Sequence, residues 1–182
     1  MTKIACLLSL LAISLPALAQ DAFSNQTNAA LQKVIQDYPN HFKNIKGDQL
    51  TEKSYKSKVE IPGASNCVLT KYNTSGTHFS WSCELANESE FESARNKYFE
   101  AYSQIRNTIV KVDGEKPFIL NGRYETPVSS ETNSSILFEL LPAPSHMQQL
   151  VVELMMQHED RWIITLQVYD KEENKVQTLT SR

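Results

Sequence analysis

Two cysteines, Cys67 and Cys83, constrain this chain more than any other pair of residues. Residues 67–72 and 78–85 read as strands, separated by Asn73-Thr74-Ser75-Gly76-Thr77. A three-residue loop, Thr74-Ser75-Gly76, sets Gly76 at the left-handed position that a type I turn with a bulge requires. Counting outward then pairs Asn73 with Thr77, Tyr72 with His78, Leu69 with Trp81, and Cys67 with Cys83. Non-hydrogen-bonded antiparallel partners have α-carbons about 4.5 Å apart, within reach of a disulfide. The spacing is not the C-x-x-C of redox pairs, so the pair reads as a structural staple. Closing a loop of about fifteen residues contributes roughly 3 kcal/mol in the chain-entropy model.

A staple of this kind needs an oxidising compartment, and the first residues supply the address. Lys3 is followed by an apolar run over residues 4–15, and Pro16-Ala17-Leu18-Ala19 ends it in a small-x-small pattern. This is the form of a signal peptide cleaved after Ala19, and the run is too short to stay behind as an anchor. Residues 1–19 are therefore expected to be removed, leaving residues 20–182 as a single exported domain, periplasmic or secreted and bacterial in style. The third cysteine, Cys6, goes with the peptide, and no cysteine at the cleavage point offers a lipid attachment site. With 18 basic against 21 acidic side chains and a net charge of −3, the chain has no concentrated basic face for nucleic acid.

Along the mature chain, Leu31, Val34, Ile35 and Tyr38 recur at helical spacing, with Phe42 and Ile45 continuing the stripe. Pro39 predicts a break, followed by a second short helical piece ending at Gly47. Residues 55–61 alternate as a strand, and Pro62-Gly63-Ala64-Ser65 turns the chain into the cysteine hairpin. A second helix follows overlapping capping boxes, Asn87-x-x-Glu90 and Ser89-x-x-Glu92, with Phe91, Ala94, Tyr98, Ala101, Ile105 and Ile109 as its apolar stripe. Asn121-Gly122 predicts a tight hairpin of residues 118–120 with 123–125, and residues 129–135 read as a polar loop. Three strands close the chain. Residues 136–141 come first. Residues 150–157 and 162–169 then form a hairpin that pairs Met156 with Ile164, Leu154 with Leu166 and Val152 with Val168.

The expected fold is thus α+β in the order α-β-β-β-α-β-β-β, an antiparallel sheet of about six strands with two helices packed on one face. In element order alone it resembles the type III secretion chaperones, whose cytoplasmic work export would contradict.

Catalytic and cofactor motifs are not found: there is no G-x-S-x-G, H-E-x-x-H, Walker loop or dinucleotide fingerprint. His41, His78, His146 and His158 are not spaced as metal ligands, so neither metal nor cofactor is expected. His78 projects with Ser80, Ser82 and Glu84, and His158-Glu159-Asp160 sits at a hairpin tip. These are the residues a small periplasmic or secreted hydrolase would have to use. One feature departs from plain alternation. Val68, Tyr72, Val151, Met155, Ile163 and Tyr169 fall on the sheet face turned away from the helices, where polar residues belong. Either residues 111–135 cover that face as a lid, or it is a contact surface for a protein partner, an apolar ligand or a second copy. The function expected is an exported, non-catalytic binding module without a membrane anchor.

Overall fold

The computed structural model describes residues 17–171 except 75, 107, 113 and 115, with side chains from Gln26 onward apart from those of residues 73–77. The signal-peptide expectation falls mostly on residues 1–16, outside the described residues. Helix α1 (Ala17–Asp37) leads into strands β1 (Lys46–Gln49), β2 (Ser54–Ser57), β3 (Ser65–Thr74) and β4 (Gly76–Glu88). Helix α2 (Phe91–Ile105) follows, then β5 (Ile109–Val110), β6 (Phe118–Gly122), β7 (Asn133–Leu141), β8 (Leu150–His158) and β9 (Trp162–Asp170). Among the described residues the strands form one antiparallel sheet of nine, ordered β1-β2-β3-β4-β9-β8-β7-β6-β5, so the class is α+β with two helices but the sheet is larger than six strands.

The three extra strands, β1, β5 and β6, are short pieces at the sheet's two edges. Asp37 ends α1 and then organises the turn after it. Its buried carboxylate accepts from the backbone N–H groups of Asn44 (2.9 Å) and Ile45 (3.1 Å) and from the side-chain amides of Asn40 and Asn44. His41 and Phe42, at φ 53° and 56°, bend the chain around it. The second helical piece predicted up to Gly47 is therefore a single 3-10 turn, Tyr38–Asn40, and Gly47 lies in β1 instead. A Cβ on Gly47 would stand 2.7 Å from the carbonyl oxygen of Lys56, so the close approach of β2 is what selects glycine there. The strand predicted over residues 55–61 stops at Ser57. Its hydroxyl donates to the Val59 carbonyl and accepts from the Val59 N–H, taking both groups from the ladder.

Asn121-Gly122 is no turn. Both residues lie in β6, which pairs with β5 and β7, and a Cβ on Gly122 would come 2.7 Å from the Phe138 ring. The hairpin predicted between residues 118–120 and 123–125 is thereby corrected. The predicted loop also loses Asn133, Ser134 and Ser135 to β7, where they pair with Gln157, Met156 and Met155.

The two long hairpins have the predicted registers: Tyr72 opposite His78 and Leu69 opposite Trp81 in one, Leu154 opposite Leu166 in the other. A bulge between Ser65 and Val68, with Asn66 at φ 51°, lies beside the Cys67–Cys83 disulfide, whose α-carbons are 4.1 Å apart. Odd-numbered residues of β3 and β4 (Cys67, Leu69, Phe79, Trp81, Cys83) and even-numbered residues of β6 to β9 face a single core that takes in both helices. Trp81 is fully buried, and its indole N–H donates to Ser57 Oγ at 3.0 Å.

Helix α2 buries Ala94, Tyr98, Tyr102 and Ile105. Tyr102 was absent from the predicted stripe, although it sits four residues after Tyr98 and three before Ile105. Ile109 is 53 % exposed, because the helix ends at Ile105 and Ile109 belongs to β5. Glu90 occupies the N-cap position without a side-chain cap bond, so neither predicted capping box forms. The Tyr98 hydroxyl donates to the Leu154 carbonyl (3.3 Å) and that of Tyr102 to the Gly122 carbonyl (3.1 Å), tying α2 to β8 and β6.

Two outcomes follow. Reducing the disulfide, or replacing Cys67 and Cys83 with alanine, should lower stability by about 3 kcal/mol in urea titrations, and non-reduced protein should show no free thiol. Burial first, then the charges of Tyr124, Glu153 and Glu125, push the Tyr98 phenol far above its ordinary range. The folded chain then holds this proton while the unfolded chain releases it near pH 10, so stability falls as pH rises past about 10. Tyr98→Phe should flatten that alkaline decline in melting temperature while costing about 1 kcal/mol at neutral pH for the lost hydrogen bond.

Candidate functional site

Among the described residues one face of the sheet carries no helix, and all six residues expected at a contact surface stand on this face. The structure does not gather them into one patch. A row of directly opposed residues crosses five strands: Val68, Ser82, Gln167, Glu153 and Leu137. Its centre is polar. Val68 therefore lies on one side of the face, while Val151 and Met155 lie on the other. Tyr72 takes part in a local bond instead, its hydroxyl oxygen accepting from Ser80 Oγ at 2.9 Å. Tyr169 is buried despite facing outward, and its hydroxyl donates to Glu153 Oε2 at 2.7 Å. Val151 stands opposite Tyr169, and Met155 is diagonal to Ile163, all three aliphatic groups being half-buried.

The exposed apolar groups lie farther along the same face, toward the β5 edge. Ile109, Ile119 and Leu141 are directly opposed across β5, β6 and β7, and they are 53 %, 54 % and 49 % exposed. Leu137, also about half exposed, is the diagonal neighbour of Val151 and Met155. The face thus continues from the predicted residues into four that lie outside the expected set, Ile109, Ile119, Leu137 and Leu141. The sequence pattern puts Ile119 in a separate hairpin with residues 123–125 and Ile109 in the helix, whereas the structure pairs residues 118–122 with β5 and β7 and so brings Ile109 and Ile119 beside Leu141.

The described part of residues 111–135 forms no lid over this face. Residues 118–122 extend the sheet rather than cover it. Beyond them Tyr124 packs on the helix side, with ring centroids 5.0 Å from Tyr102, 5.1 Å from Phe99 and 6.2 Å from Tyr98. That placement raises the Tyr124 phenol through burial, with Arg95 opposing. No part of this segment that is described shields Ile119, Leu137 or Leu141 from solvent.

The histidines are arranged differently from their sequence spacing. His41, His78 and His146 line one recess of about 220 Å³ with Asp170 and Tyr38. His78 Nδ1 is 4.0 Å from Asp170 Oδ2, which also accepts from the Tyr38 hydroxyl at 3.2 Å, and the His41 ring stands edge-on to that of His78. Among the described residues no group of three or more His, Cys, Asp or Glu side chains is placed to hold a metal ion. Ser80 donates to Tyr72, so it is not the nucleophile His78 would need. His158 lies against the Trp162 ring, its cross-strand partner, at 4.5 Å between centroids.

Among the described residues no helix is long and apolar enough to cross a membrane. No family model matches the chain, and no curated protein or solved structure matches it either.

Proposed function

We propose that this chain is an exported, non-catalytic interaction module that docks a protein surface through the β5–β7 end of its open sheet face. The observation that carries this reading is the row Ile109, Ile119 and Leu141. These are three large aliphatic side chains opposed across three strands and each about half exposed. Alternation places polar groups on a wet face, and such a row leaves apolar area in water that a partner would cover at roughly 25 cal/mol per Å². A flat, pleated face suits another protein surface better than a small molecule, which needs a concavity. Export is supported by the signal-like residues 1–19 and by the Cys67–Cys83 staple. The alternative, a small hydrolase, is favoured only by the His78–Asp170 pair and would require water as nucleophile. Turnover lost on His78→Ala would support it.

The test is a double variant, Ile119→Lys with Leu137→Glu. Both side chains are half exposed, so the fold should hold, with the melting temperature changed by no more than a surface substitution gives, about 0.5 kcal/mol or less. Self-association seen by sedimentation, or capture of a defined partner from the exported fraction, should be lost. Unchanged association would remove this face from the function.

A further inference from the structure

We infer that a second and separate site, the cleft between the helices and the β3–β4 end of the sheet, binds a small neutral amphiphile. The ligand class is an apolar body carrying one uncharged hydrogen-bonding group. The cleft has a volume of about 340 Å³, within the range of small-molecule sites. Its apolar lining includes Ile61, Leu85 and Leu166 together with three small residues, Ala64, Ala86 and Ala101. Elsewhere the core is filled by large side chains such as Trp81, Tyr98 and Phe138, so this space is a local departure from close packing.

The cleft also holds an unanswered polar group. Thr27 on α1 lines it, is 3 % exposed, and its Oγ1 has no hydrogen-bond partner among the described residues. A buried hydroxyl left without a partner is costly. A ligand in the cleft that carries a donor or an acceptor can supply the missing partner, since Thr27 lines this space. The charged lining residues set the charge preference. Glu88, Lys97 and Glu100 line the cleft, and Lys97 Nζ is already 3.1 Å from Glu100 Oε2. The acidic balance that remains disfavours a carboxylate or sulfonate head group, which selects a neutral one.

The experiment titrates the full mature chain with N-phenyl-1-naphthylamine, a neutral probe with an apolar body and a single N–H. Saturable fluorescence enhancement with one site per chain is expected. The anionic relative 1-anilinonaphthalene-8-sulfonate should bind about tenfold more weakly. Ala101→Phe, which fills the cleft, should abolish binding, and Ala101→Leu should weaken it by an intermediate amount that shows whether the loss follows filling rather than unfolding. Thr27→Val keeps the shape and should weaken the neutral probe several-fold. The outer-face variant Ile119→Lys/Leu137→Glu should leave the affinity unchanged, which separates this site from the docking face. The inference is overturned if the wild-type chain shows no saturable binding. It is equally overturned if the cleft-filling variants bind as well as wild type, or if Thr27→Val binds as tightly as wild type.

Discussion

The pairing of β4 with β9 is the interaction on which the rest of the sheet depends. Every other neighbouring pair in the sheet joins strands consecutive in the chain, whereas β4 and β9 bring its two halves together. Their register sets Trp81 opposite Val168 and Cys83 opposite Leu166, matching odd-numbered inward residues on one strand to even-numbered ones on the other. A slip of one residue would turn one half of the sheet inside out relative to the other. A bulge between Glu84 and Ala86 then changes the inward parity within β4, so that Ala86 opposes Ile164 and lies against the core. Helix α2 leaves the end of β4 at the middle of the sheet and delivers the chain to β5 at the far edge. It must therefore cross the inner face, where Tyr98 and Tyr102 fasten it to β8 and β6.

That crossing explains the asymmetry between the faces. Among the described residues both helices are used on one side, and the other side is left to the strands themselves. Its centre is made wet-compatible by Ser82, Gln167 and the Tyr169–Glu153 hydrogen bond. The β5 end is not treated in this way, since Ile119 and Leu141 stand where polar residues would complete the alternation. The edges themselves are guarded. Strand β5 is two residues long, and β1 carries Lys46, whose ammonium lies 3.6 Å from the Tyr55 ring centroid. Contact through the face is thus better supported than pairing through an edge.

What was legible in the residues follows physical strength of signal. The β3–β4 and β8–β9 hairpins were readable because turn chemistry and parity specify the same register, and the disulfide follows from the first of them. The short edge strands were not. Lys46-Gly47-Asp48-Gln49 has no apolar alternation to read, and Ile109-Val110 is too short to show a period. Gly122 misled for a specific reason: glycine after asparagine is a turn signal, but here the Phe138 ring occupies the space a Cβ would need. The open face was legible in outline from Val151 and Met155. Its exposed part depends on β6 pairing with β5 and β7, whereas the local Asn121-Gly122 signal points to a hairpin with residues 123–125.

The central claim is that the odd-numbered residues of β7 face solvent in the isolated chain while its even-numbered neighbours face the core. Carbene footprinting of the oxidised, purified protein reads this residue by residue along one strand. Leu137 and Leu141 should be labelled strongly, and Ile136, Phe138 and Leu140 weakly, in keeping with their burial. Strong labelling of Phe138, or protection of Leu137 and Leu141 in a chain that sediments as a monomer, would contradict the account.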